Sequence, residues 1–163
     1  MRNEKNRSLT LYVCQAGIIG ALYAAITLLI APIGSGVIQC RISEAMCVLP
    51  MFTPAAIPGL AIGCLVANLV TGCLWQDVIF GTLATLIGAC GARLLRRVPY
   101  LVPLPTVLAN TLIVPFVLAY AYRVGEGVPF LMLTIGLGEL VSAYALGILL
   151  WLALHRHADR IFR

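Results

Sequence analysis

Residues 37–74 read VIQCRISEAMCVLPMFTPAAIPGLAIGCLVANLVTGCL, and the number of times this stretch crosses a membrane decides the fold. Two apolar runs, 37–53 and 57–74, meet at T-P-A-A-I-P. Pro54 and Pro58 each remove a backbone donor and restrain the preceding residue, which fits a tight hairpin better than one overlong helix. The stretch is therefore read as two spans. Toward the N-terminus, no charged residue occurs from Ser8 to Cys40, and Leu9 to Ala31 is long enough to cross once before a turn at Pro32, Gly34 and Gly36. Arg2, Lys5 and Arg7 precede that run as they would precede a signal peptide, but it far exceeds a signal peptide's apolar region and reads as an anchor. Toward the C-terminus, 77–94, 99–122 and 128–154 supply three more spans, the last containing Glu139.

Charge parity supports six crossings, because cytoplasmic loops collect Lys and Arg. With a cytoplasmic N-terminus, the inner side receives Arg2, Lys5, Arg7, Arg93, Arg96, Arg97, Arg156, Arg160 and Arg163, and the outer side Arg41 and Arg123. Merging 37–74 into one helix would put the two basic tails on opposite faces and lose the pattern. Trp75 and Trp151 then fall at opposite interfaces, where amphipathic rings settle. The formal net charge of +5 is this inner-leaflet bias, and no basic groove with stacking aromatics suggests nucleic acid.

Composition agrees. Of 163 residues 61% are hydrophobic and 10% charged, against about 25% charged in an average soluble domain. A mean hydropathy of +1.01 excludes an ordinary soluble enzyme and a disordered tail alike. Six spans use roughly 120 residues, so the chain is expected to be a single all-α integral membrane domain over 1–163, with no room for a soluble ATPase. The cysteines at 14, 40, 47, 64, 73 and 90 show no paired C-x-x-C spacing and read as small packing residues. His155 and His157 are two apart, do not share a helix face, and are not expected to bind metal.

Intramembrane polar residues are costly and mark candidate ligand sites. At about 1.5 Å per residue, Glu139 lies ~16 Å below the outer end of its span, Asn110 ~18 Å and Asn68 ~9 Å. Arg41, Glu44 and Asp77 stand at outer ends, so six polar groups from five helices converge on the outer half of the bundle. Bland roles are open to most of them. Arg41 and Glu44, three apart on a helix, can neutralise each other; Asp77 can cap a helix start; Asn68 and Asn110 can bond neighbouring helices. Glu139, in G-L-G-E-L, has no basic residue within a turn and is the strongest candidate. Carboxylates in a desolvated pocket ask for a cation or an edge rich in N–H donors, since a carboxylate accepts two parallel hydrogen bonds. No G-x-x-x-x-G-K-[ST] loop is present, so power comes from a gradient or a partner. Two rows of small residues, Gly17, Ala21 and Ala25 beside Ala16, Gly20 and Ala24, give the first span faces for close helix packing, within the bundle or with a partner.

Nearly the whole chain resembles the queuosine-precursor transporter family, QueT, the substrate-binding S-components of energy-coupling factor (ECF) transporters. The resemblance is carried by A-L-Y-A-A-I-T-L, I-Q-C-R-I-S-E-A, A-I-P-G-L-A-I-G-C-L-V-A-N-L, D-V-I-F-G-T-L-A-T-L, P-T-V-L-A-N-T-L-I-V-P and G-L-G-E-L-V, in that order. It implies a six-helix S-component fold in a bacterial cell membrane, with both termini cytoplasmic. The implied ligand is a deazaguanine such as 7-aminomethyl-7-deazaguanine or queuine. The implied partners are a transmembrane coupling subunit and two ATPases, which would use ATP and Mg, leaving this chain non-catalytic and without a metal or cofactor of its own. Arg41, Glu44, Asn68, Asp77, Asn110 and Glu139 fall in its blocks as substrate-binding candidates, and Ala21 and Ala25, beside Gly17, match its A-x-x-x-A contact with the coupling subunit. Cys40 and T-P-A-A-I-P depart from its pattern. The competing expectation is a self-sufficient proton-coupled transporter of small cations in which Glu139 alternates between proton and ligand.

Overall fold

Each apolar run forms a helix, as backbone groups shielded from water must find partners within their own segment. The structure, a computed structural model, describes residues 2–34 and 41–162, all of whose regular elements are helical. Helix α1 covers Arg2–Gly34 and is followed by a 3₁₀ helix over Ile42–Met51. Helices α2 (Ala56–Val70) and α3 (Trp75–Leu94) lead through a short 3₁₀ turn, Pro99–Leu101, to α4 (Leu104–Tyr120). The next rod is α5 (Val128–Glu139), a π-helical turn over Leu140–Ala145, and α6 (Leu146–Leu154); α7 (Ala158–Ile161) closes the chain.

Among the described residues, four stretches are long and apolar enough to cross a membrane: Ser8–Ile30, Trp75–Leu94, Pro99–Tyr120 and Val128–Leu154. Ile42–Met51 and Ala56–Val70 are apolar but shorter. At about 2.0 Å per residue for a 3₁₀ helix and 1.5 Å for an α-helix, they reach ~20 Å and ~22 Å. The first residues of the span expected at 37–53, with Gly36 and Cys40, lie outside the described residues, as do Arg163 and the side chains of Arg2, Lys5 and Arg7.

The 3₁₀ helix is the axis of the bundle, with every residue from Ser43 to Pro50 buried. It packs against α1, α3, α6 and the π-helical turn. A 3₁₀ helix is tighter than an α-helix, with about three residues per turn. Gly147 of α6 shows how close the neighbours come, since a methyl there would lie 3.2 Å from Val48 Cγ1. The last carbonyls of the 3₁₀ helix take hydrogen bonds from a cation, with Arg93 Nη1 donating to the oxygens of Pro50 at 3.0 Å and Met51 at 3.1 Å. One residue of the basic rim thus also caps the central element.

The two small-residue rows of α1 separate. Gly20 lies against Gly59 and Gly63 of α2, where a methyl on Gly63 would stand 2.7 Å from the Gly20 oxygen, and Ala16 and Ala24 belong to the same buried face. Contact this close is how helices gain attraction in lipid, where apolar burial gives none. Gly17, Ala21 and Ala25 stay exposed. Cys47 and Cys64 are buried free thiols that fill space. Trp75 is exposed, while Trp151 packs edge-on to Tyr100 at 5.6 Å.

Candidate binding site

The polar centre forms where α3, α4 and α5 face the entry of the 3₁₀ helix. Glu139 ends α5 immediately before the π-helical turn, and turns of that kind often accompany functional sites because they redirect the side chains beside them. Its Oε1 accepts a hydrogen bond from Asn110 Nδ2 at 2.8 Å. Its Oε2 is buried with no hydrogen-bond partner. Glu139 is 4% exposed, so an unpaired acceptor there is costly in the ligand-free protein and available to a donor that arrives.

A cavity of about 10 Å³ opens beside it, lined by Arg41, Gly81, Asn110, Val114, Ile135 and Glu139. Formed ligand pockets are typically some 300–1,000 Å³, so the conformation is closed and a ring-sized ligand requires these helices to part. Across the cavity, a methyl on Gly81 would lie 3.1 Å from Asn68 Nδ2 and 3.4 Å from Asp77 Oδ1. The missing side chain at 81 is what lets both polar groups come close behind the residue that lines the cavity. Asn68 is 1% exposed and lies 3.6 Å from Cys64 Sγ.

Arg41 precedes the 3₁₀ helix in extended backbone, and its charge acts on Glu44 and Glu139, with that of Asp77 acting on it in turn. Glu44 does not line the cavity. It is 2% exposed and accepts a hydrogen bond from the Tyr23 hydroxyl of α1, so mutual neutralisation with Arg41 is not its whole environment.

Of the bland roles open to Asp77, the structure keeps the helix-dipole contact and not the cap. The N-cap position of α3 is Leu74, and no side chain caps it. Asp77 sits in the first turn, where the helix dipole favours a carboxylate, and its Oδ2 accepts from the Tyr122 hydroxyl at 3.2 Å. The same phenol oxygen accepts from the Leu74 N–H at 3.1 Å. Tyr122, in the loop after α4, therefore latches that loop to the α2–α3 hairpin.

Of the six candidate residues, Arg41, Asn110 and Glu139 line the cavity, Asn68 and Asp77 stand behind Gly81, and Glu44 lies to one side on Tyr23. Sequence reasoning singled out none of Tyr23, Gly81 and Tyr122. Gly81 carried a usable signal, being four residues after Asp77 and so on the same helix face. Tyr23 carried little, as nothing in its own helix points to Glu44.

An apolar helical bundle that gathers carboxyl, amide and guanidinium groups around a closed internal cavity fits a membrane transport protein. The chain belongs to the QueT transporter family, whose model matches residues 13–156. No curated protein and no solved structure matches it.

Proposed function

We propose that the chain is the substrate-binding S-component of an ECF transporter that takes up a queuosine precursor, 7-aminomethyl-7-deazaguanine or queuine. The observation that carries the reading is the buried Glu139 carboxylate, held at Oε1 by Asn110 and unpartnered at Oε2 beside a cavity rimmed by Arg41 and Gly81. A deazaguanine presents adjacent N–H donors that one carboxylate can accept together, and its aminomethyl cation suits a site with an excess of acids. Asn68 and Asn110 offer amide donors and acceptors for the remaining ring edges, with Glu44 and Asp77 setting the charge around Arg41.

In this reading the chain crosses the cell membrane six times, the 3₁₀ helix and α2 serving as the two short crossings, with both tails cytoplasmic. The ligand enters from outside. Delivery depends on a transmembrane coupling subunit, docked on Gly17, Ala21 and Ala25, and on two ATPases that use ATP and Mg. The chain itself catalyses nothing.

The test is thermal unfolding of the purified chain with 7-aminomethyl-7-deazaguanine, queuine and guanine. A ligand present at a hundred times its Kd stabilises by about 2.7 kcal/mol, so a deazaguanine should raise the melting temperature while guanine does so less. An unchanged melting temperature with saturating amounts of both deazaguanines overturns the proposal.

A further inference from the structure

The helix whose outer face carries the small-residue row also reaches into the polar centre from its inner face. Tyr23 is 1% exposed and donates its hydroxyl to Glu44 Oε1. One turn further along α1, Thr27 Oγ1 lies 2.8 Å from Ser43 Oγ and 2.8 Å from the Tyr23 carbonyl oxygen. Two successive turns of α1 are thereby tied to two successive residues at the start of the 3₁₀ helix, next to Arg41. A carboxylate as buried as Glu44 holds one orientation only if its hydrogen bonds fix it, and the bond from Tyr23 comes from a different helix.

We infer that Tyr23 is a positioning residue of the binding site, whose hydroxyl fixes the orientation of Glu44 beside Arg41, the residue that lines the cavity. The inference rests on the reading of this cavity as a deazaguanine site. It gives α1 a role in binding as well as in docking: the residue that fixes Glu44 shares a rigid helix with Gly17, Ala21 and Ala25. A displacement of α1 would be felt at Glu44 through the Tyr23 hydroxyl and at Ser43 through Thr27.

Tyr23→Phe removes the hydroxyl and keeps the ring that fills the core, so the variant should fold with a melting temperature close to the parent's. Binding of 7-aminomethyl-7-deazaguanine, titrated calorimetrically on the purified full chain, should weaken about tenfold, equivalent to ~1.4 kcal/mol. In a Glu44→Ala background, which leaves no side-chain acceptor for the hydroxyl, the same substitution should change affinity less than about twofold. A packing role would instead cost the same factor in both backgrounds. Parent-like affinity of Tyr23→Phe overturns the inference, as does an equal loss with and without Glu44→Ala. Failure of the parent itself to bind any deazaguanine overturns the reading of the site, and this inference with it, and is distinguished by the parent titration alone.

Discussion

Glu139 is where one atom decides most. Its Oε1 is satisfied by Asn110 and its Oε2 is buried and unpartnered. Glu139→Gln presents an N–H where the ligand also has one, at the loss of a hydrogen bond to a charged group worth about 1.5–3 kcal/mol. Affinity for 7-aminomethyl-7-deazaguanine should fall about ten- to hundredfold with no drop in melting temperature, and binding within a factor of two of the parent would refute the assignment. Gly81 gives a second test with opposite signs in its two readouts. Alanine in a helix interior gains roughly 1 kcal/mol over glycine, yet its methyl would press on Asn68 Nδ2 at 3.1 Å. Gly81→Ala should therefore melt no lower than the parent while binding several-fold more weakly, and unchanged affinity would remove Gly81 from the site wall. Glu139 and Asn110 were legible in the sequence because a polar residue deep in an apolar run is expensive wherever the chain folds. Tyr23 was not, because its significance lies in a partner 21 positions away that helical periodicity does not reveal.

Among the elements, the spans were readable as apolar runs, but their helical type was not. Nothing in ISEAMCVLPM distinguishes a 3₁₀ helix from an α-helix, and its burial from Ser43 to Pro50 is a tertiary property. The π-helical turn after Glu139 is equally silent in sequence, since one extra residue per turn leaves an apolar pattern apolar. The small-residue rows were visible on α1, whereas their division into a buried and an exposed face required α2, whose Gly59 and Gly63 take one row. That division makes a paired prediction. Gly63→Leu drives a side chain into the Gly20 backbone and should destabilise the bundle, by about 1–3 kcal/mol on the scale of overpacked cores, seen as a lower melting temperature. Ala21→Trp or Ala25→Trp points outward and should leave both melting temperature and ligand affinity near the parent's while blocking co-purification with the coupling subunit. Retained co-purification would move the docking face elsewhere.

At the scale of the molecule, orientation and power source belong together. The Asp77 end of α3 meets Arg41 and the Tyr122 latch, while its other end carries Arg93, Arg96 and Arg97, so acidic site and basic rim occupy opposite ends of the bundle. If the rim is cytoplasmic, cysteines introduced singly at positions 4 and 161 of a cysteine-free chain should resist an impermeant thiol reagent in intact cells, and one at position 76 should react. Labelling at 4 or 161 would reverse or break the topology. On that orientation the site faces outward in a closed bundle, and release to the inside needs a power source that a chain without a G-x-x-x-x-G-K-[ST] loop does not draw from ATP by that device. A proton-coupled carrier would solve the problem through Glu139 itself, exchanging ligand for proton and reopening inward without help. An S-component would instead wait for α1 to be displaced by its partner. Proteoliposomes separate the two: labelled 7-aminomethyl-7-deazaguanine should accumulate only when the coupling subunit, both ATPases and ATP are present. Uptake driven by a proton gradient across vesicles holding this chain alone would establish the carrier, and would make Ala21→Trp silent in transport where the S-component reading requires it to stop.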